Sequence, residues 1–370
     1  MSEKTILIVI DGCAAAYISK DYTPHLYKMG KAGFYSTVKA AMPSVTNVNH
    51  ASILSGKFPD EHGVLGNYYY DRQTGKEGCI ETSQAMKTES VIDVYRRRGK
   101  RTALLTVKGK VLDVFGRQAD IGINLQRPEA AVWERLQLEA PPQVASLETY
   151  EWIFKACYQV LTIEDPDFIY CTTNDYMMHH YAPDSKEAHA VMQCIDRWIG
   201  KLYEVDPGRE IYITADHGMN PKSRCIDLQK KLAAAGYKTF CLLPLKDRYI
   251  ENHPHQEGGA AYVYVWEEAH IPAVLEYMKQ CDYIDAAYDA ATAAGAYHLP
   301  VHGIGDILAF CSEDAVFAEL DGEASEMYIH SRTHGSLYER DIPLIAVNAR
   351  RNAAYYTYTA DIVRAILEDG

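Results

Sequence analysis

Asp11, Asp175 and Asp216 each stand just past an apolar run, in "ILIVIDG", "FIYCTTND" and "IYITADHG". Carboxylates gathered at strand ends repel one another unless cations share the space. Histidines stand close by. His179 follows Asp175 at i+4, so one helical face can aim both at one ion. His217 adjoins Asp216 on a turn, and His334 in "THGSLYERDIP" precedes another apolar run, "PLIAV". Taken singly, each aspartate reads most readily as a helix cap and each histidine as a surface or satisfied core residue. All six beside strand ends point instead to bound divalent cations. Mixed carboxylate and imidazole ligands suit Zn²⁺, with Mn²⁺ or Fe²⁺ also compatible.

The elements that must position these residues are short apolar runs at 5–10, 103–107, 168–173, 211–215, 306–311 and 343–347. Several are apolar at every position, as strands covered on both faces by helices should be. Helical periodicity runs over 89–99 and 185–204, and Thr23-Pro24 reads as an N-cap with proline at the first helical position, stopped at Gly33. Alternating strands and helices predict an α/β fold with a doubly wound, mostly parallel sheet, whose strand carboxyl ends form the ligand crevice. The rhythm loosens between about 236 and 320. That stretch is expected to be a smaller α+β cap inserted into a core built from 1–235 and 321–370.

Composition narrows the partners. The 370 residues carry a formal charge of −13, which disfavours a nucleic-acid backbone as partner. The apolar start "TILIVI" is too short for a signal-peptide core or a membrane span. Nine scattered cysteines with no C-x-x-C suit a reducing compartment, so a cytoplasmic protein is expected. Assembly as a homodimer is compatible with these features.

One segment, "SVTNVNHASILSG" (44–56), holds four hydroxyls: Ser44, Thr46, Ser52 and Ser55. Strand-Asp-Gly at Asp11, T-x-x-N-H-x-S-I from Thr46, G-N at Asn67, D-x-x-x-H, D-H-G-M and a late H-G occur in this order. Together they resemble the alkaline phosphatase superfamily, and within it the nucleotide pyrophosphatase/phosphodiesterase branch. The resemblance implies one metal held by Asp175, His179 and His334, and a second held by Asp11, Asp216, His217 and the hydroxyl of Thr46. It implies Thr46 as the nucleophile, because a free threonine hydroxyl is weak until a cation favours its alkoxide. Asn67 matches the asparagine that donates to a phosphoryl oxygen. Ser52 and Ser55 are assigned to packing, His50 and His62 to structure, and Ser44 to the loop.

Lys108 and Lys110 in "TVKGKV" resemble the substrate-binding lysine pair of the phosphonoacetate hydrolases of that superfamily. If extended, the pair points to one face and offers two donors to a small anion. The implied activity is a zinc-dependent hydrolase cleaving the carbon–phosphorus bond of phosphonoacetate to acetate and phosphate. One feature departs from that pattern: His50 after the second asparagine is shared with the phosphodiesterases. A phosphodiesterase or nucleotide pyrophosphatase is therefore the alternative, with "NYYYD" (67–71) offering rings for a base. A non-catalytic, metal-dependent phosphonate-binding protein is the alternative of another class.

Overall fold

Apolar runs that ended in aspartate form the middle of one sheet. The computed structural model describes residues 4–247 and 258–368. Its main sheet comprises β1 (Thr5–Val9), β2 (Phe34–Lys39), β3 (Thr102–Thr106), β4 (Ile121–Asn124), β5 (Phe168–Thr172), β6 (Glu210–Thr214) and β7 (Asp341–Val347). These lie in the order β2-β7-β6-β1-β5-β3-β4. Neighbours from β6 to β4 pair parallel, and β7 runs antiparallel to both β2 and β6. β1, β3, β5 and β6 are buried at every position, which fits helices on both faces. Edge strand β2 alternates exposed and half-buried residues, a polar pattern that the apolar-run reading passed over.

The predicted helices are present over Val91–Arg97 and Lys186–Val205. The helix Pro24–Ala32 does start at Pro24, but Thr23 makes no capping bond to it. Asp196 of the Lys186–Val205 helix caps it instead, accepting from His25 N at 3.0 Å and Leu26 N at 2.8 Å. Gly33 ends that helix with φ −112°, so left-handed backbone is not its reason for being glycine. A Cβ there would lie 1.9 Å from Ala346 O of β7, so only glycine fits.

Beside the main sheet, strands Thr239–Leu242, Ala260–Val265, Ile307–Cys311 and Ile284–Asp289 make an antiparallel sheet in that order. Alternate residues of its strand Ala260–Val265 serve two cores. Ala261, Val263 and Val265 join Val274 and Met278 on one face, and Ala260, Tyr262 and Tyr264 join Met42, Ala293 and Tyr297 on the other. A third sheet pairs Asn220–Ile226 with Ala315–Phe317 and with Glu326–Thr333. No helix among the described residues is long and apolar enough to cross a membrane.

Candidate active site

Strand order decides which side chains meet. Asp216, Asp11 and Asp175 follow β6, β1 and β5, three neighbouring strands, and Lys108 follows β3, the next one along. Strands about 4.8 Å apart therefore deliver four charged groups side by side at one edge. Gly12 lets them close up. Its φ is +74°, and a Cβ on it would lie 3.2 Å from Asp175 Cβ. Its N–H donates to Asp216 Oδ1 at 3.2 Å.

Two buried donor sets result, Asp175 with His179 and His334, and Asp11 with Asp216 and His217. Asp175 sits at the N-cap of the short helix Tyr176–His180, and His179 lies in its last turn. Asp175 Oδ2 is 3.2 Å from His179 Nε2 and 3.8 Å from His334 Nε2. In the other set, His217 Nε2 is 3.4 Å from Asp11 Oδ1 and 3.3 Å from Asp216 Oδ2. The third sheet brings the two histidine turns together, because Asn220, just after His217, pairs with Thr333, just before His334. The rings of His217 and His334 stack with centroids 3.4 Å apart.

Each histidine has its Nδ1 against a backbone carbonyl: His179 on Arg332 O at 2.6 Å, His334 on Ser44 O at 2.7 Å, His217 on Gly218 O at 2.9 Å. Donation from Nδ1 fixes the tautomer and leaves Nε2 as a ligand atom. Asp11 Oδ1, Asp216 Oδ2 and His217 Nε2 are buried and hydrogen-bond to nothing among the described residues, while Asp11 Oδ2 meets the Lys108 ammonium. So many orphaned acceptors in one place are costly without a cation, and a carboxylate–imidazole set fits a divalent one.

Thr46 is the first residue of α1 (Thr46–Ser55), a helix buried throughout, with Val45 rather than Thr46 at its N-cap. Asn49 clamps the approach to it, accepting from Ala41 N at 2.7 Å and donating to Ala41 O and Val45 O. Asn67 Oδ1 accepts from Asn47 N at 3.1 Å, so the asparagine occupies a free N–H of the first helical turn. Ser44 donates to Ser336 O, Ser52 meets His62 Nε2, and Ser55 donates to Ala51 O. Thr46 is thus the hydroxyl left facing the charged groups.

The lysines do not form an extended pair: Lys108 has extended backbone, but the chain turns helical at Gly109. Lys108 is the N-cap and Lys110 the second residue of α2 (Gly109–Phe115). Lys108 Nζ lies 2.7 Å from Asp11 Oδ2, 3.0 Å from Asp175 Oδ1 and 3.4 Å from Thr46 Oγ1. It joins both donor sets to the hydroxyl. Lys110 pairs with Asp247, in the segment whose Pro244 and Leu245 carbonyls bond Asn67. Ser336 and Glu339 went unnoticed in the sequence. Glu339 accepts from Ser336 N, Ser336 Oγ and the buried Lys222, and its carbonyl accepts from Gly218 N. It ties both histidine turns together; the only sequence signal was S-x-x-E, a capping box.

Burial, and then Asp216, push the Asp11 carboxyl up to about 8, while burial raises Asp216 to about 6. Burial pulls Lys108 down, but Asp11, Asp175 and Asp216 outweigh it and hold the ammonium above the usual lysine range. Burial keeps His217 and His334 neutral, as ligands must be. Folding therefore favours the protonated form of both carboxyls, against an ordinary value of 3.8. Chelator-treated protein should lose stability as pH rises from about 6.5 to about 8, above the range in which the neutral buried histidines gain stability with pH, while protein loaded with divalent cations should not. Melting temperatures across that window test this; a chelated protein that gains stability there contradicts it.

The family model for type I phosphodiesterase/nucleotide pyrophosphatase matches residues 5–337. A phosphonoacetate hydrolase of Sinorhizobium meliloti 1021, solved with phosphonoformate, is 26% identical with a TM-score of 0.87, covering 99% of this chain and 95% of that one. Human ectonucleotide pyrophosphatase/phosphodiesterase 5 is 19% identical with a TM-score of 0.67, over 98% and 93% of the two chains, and supports the fold alone. An uncharacterized pyrophosphatase/phosphodiesterase of Schizosaccharomyces pombe is 25% identical over 239 residues, 59% of this chain and 45% of that protein. The chain thus spans less than half the length of that relative.

Proposed function

The chain belongs to the type I phosphodiesterase/nucleotide pyrophosphatase family, and within it we propose a hydrolase that attacks phosphorus with Thr46 and converts phosphonoacetate to acetate and phosphate. The observation that carries the substrate is the ammonium of Lys108, 3.4 Å from Thr46 Oγ1. A fixed cation beside the nucleophile suits a substrate with a second anionic group near its phosphorus. The near-complete alignment with the phosphonoacetate hydrolase supports the same reading.

Two divalent ions, Zn²⁺ in this reading, would be held by Asp175, His179 and His334 and by Asp11, Asp216, His217 and Thr46, supplying charge that favours the threonine alkoxide and neutralises phosphoryl oxygens. Thr46 Oγ forms a bond to phosphorus as the P–C bond breaks. The electron pair goes to the methylene carbon, giving the enolate of acetate, which takes a proton from solvent. Water then cleaves the phosphothreonine, releasing phosphate and restoring Thr46. Asn67 is oriented for its part: its Oδ1 accepts from Asn47 N and one Nδ2 hydrogen goes to Leu245 O at 3.4 Å, which leaves the second Nδ2 hydrogen to donate to a phosphoryl oxygen. Lys108 and Lys110 hold the substrate carboxylate, Lys110 by exchanging Asp247 for it.

Lys110→Met should raise KM for phosphonoacetate by about ten- to a hundredfold, the worth of one charged hydrogen bond, with kcat little changed. Steady-state kinetics decide this; a fall in kcat at unchanged KM removes Lys110 from substrate binding.

The nucleotide alternative needs an open aromatic slot. Tyr70 packs against Phe240 and Tyr264, and Tyr68 lies in the same core, leaving Tyr69 as the exposed ring of the three. Product analysis by NMR, with phosphonoacetate and a nucleotide phosphodiester in parallel, tests the proposal. Equimolar acetate and phosphate are expected; rapid ester cleavage without acetate would reject it.

A further inference from the structure

His50, assigned from the sequence to structure, has a ring placed to act on the site. It lies one helical turn beyond Thr46 on α1 and is fully buried. Its Nδ1 stands 2.5 Å from Tyr170 Oη, on β5. Its Nε2 hydrogen-bonds to nothing among the described residues, and neither does Asp216 Oδ2. These two orphaned atoms face each other at 3.9 Å. Two complementary buried atoms without hydrogen bonds of their own stand opposite one another, beside His217 Nε2 at 3.3 Å from the same oxygen, and mark a contact that the fold has set up.

Proton placement follows from the charges. A carboxylate opposite Nε2 favours the tautomer with hydrogen on Nε2, which leaves Nδ1 as acceptor for the Tyr170 hydroxyl. Burial keeps that tyrosine protonated and His50 neutral. Tyr170, His50 and Asp216 are thus lined up as a donor chain, with a hydrogen bond from O–H to Nδ1 and Nε2–H directed toward Oδ2 across 3.9 Å. Hydrogen bonds behind a metal ligand hold its orientation, and their loss typically weakens binding by about ten- to a hundredfold.

We infer that His50 is a positioning residue, set by Tyr170, that holds Asp216 as a ligand for the cation bound with Asp11 and His217. The inference rests on the reading that this set binds a cation. It gives a function to the residue in which the segment differs from the phosphonoacetate hydrolase pattern. His50 itself touches neither substrate nor cation.

The test is a Zn²⁺ competition titration with a chromophoric chelator, run beside thermal melting by circular dichroism. Wild type, His50→Leu, His50→Gln, Tyr170→Phe and Asp216→Ala are compared. Asp216→Ala should lose one of two ions and so identify the site. His50→Leu should weaken that same ion by about ten- to a hundredfold and leave the other unchanged. His50→Gln, whose amide can still donate, should recover most of the affinity, and Tyr170→Phe should weaken the same ion about threefold. If His50→Leu does not fold, Tyr170→Phe and His50→Gln decide. A folded leucine variant with both affinities intact overturns the proposal, as does a glutamine variant no better than leucine or an unaltered Tyr170→Phe. Should Asp216→Ala keep both ions, the cation reading falls and takes the proposal with it.

Discussion

Thr46→Ala should lower turnover of phosphonoacetate by at least about a thousandfold, while two cations stay bound. The site makes this a clean experiment. Thr46 is 2% exposed and begins α1, yet the N-cap is Val45 and no side chain caps the helix there. Removing the hydroxyl therefore costs no cap, and the melting temperature should move by no more than about 5 °C. The second donor set keeps Asp11, Asp216 and His217, enough for an ion to remain. Loss of activity then reports lost chemistry. Thr46→Ser should keep part of the activity. Full turnover in the alanine variant would remove the covalent step and leave direct attack by water.

Removing the cations should be at least as severe. Dialysis against a chelator is expected to bring turnover to background, and returning divalent ions should restore it, reaching a plateau at two per chain. Three carboxylates and three imidazoles share this crevice with one ammonium. Without divalent charge a proton takes the place of a cation on Asp11, whose carboxyl is pushed up to about 8, by burial first and by Asp216 next. A dianionic phosphonate brought to that crevice would meet net repulsion, and neutralising it is the main source of rate in phosphoryl transfer. Asp175→Ala should match chelation in its effect on turnover, since it removes the shared partner of His179 and His334. Activity followed against bound metal tests this; a stripped protein at full turnover contradicts it.

Much of this arrangement was legible in the chain because it is local. Apolar runs ending in aspartate place Asp11, Asp175 and Asp216 at strand ends, and i,i+4 spacing brings His179 to Asp175. The four strands of the small antiparallel sheet fall within the stretch, from about 236 to 320, where the rhythm loosens. Other features depend on strand order and distant partners, which no local pattern carries. Lys108 touches Asp11 and Asp175 because β3 lies beside β5 and β5 beside β1. Its expected extended pairing with Lys110 gave way to the start of a helix. Strand β2 escaped notice because an edge strand can alternate polar residues. Gly33 read as a helix stop, but its necessity comes from Ala346, more than three hundred residues away in the chain. His50 looked merely structural because its neighbours, Tyr170 on β5 and Asp216 just past β6, come from distant parts of the chain.

The central claim is that Thr46 takes the phosphoryl group of phosphonoacetate. Acid-quenching the metal-loaded protein within its first turnovers, followed by peptide mass spectrometry, tests it most directly. Phosphate on the Thr46 peptide, formed together with acetate, is the predicted result. Acetate release with an unmodified Thr46 peptide, or phosphorylation by a nucleotide ester with none from phosphonoacetate, would contradict it.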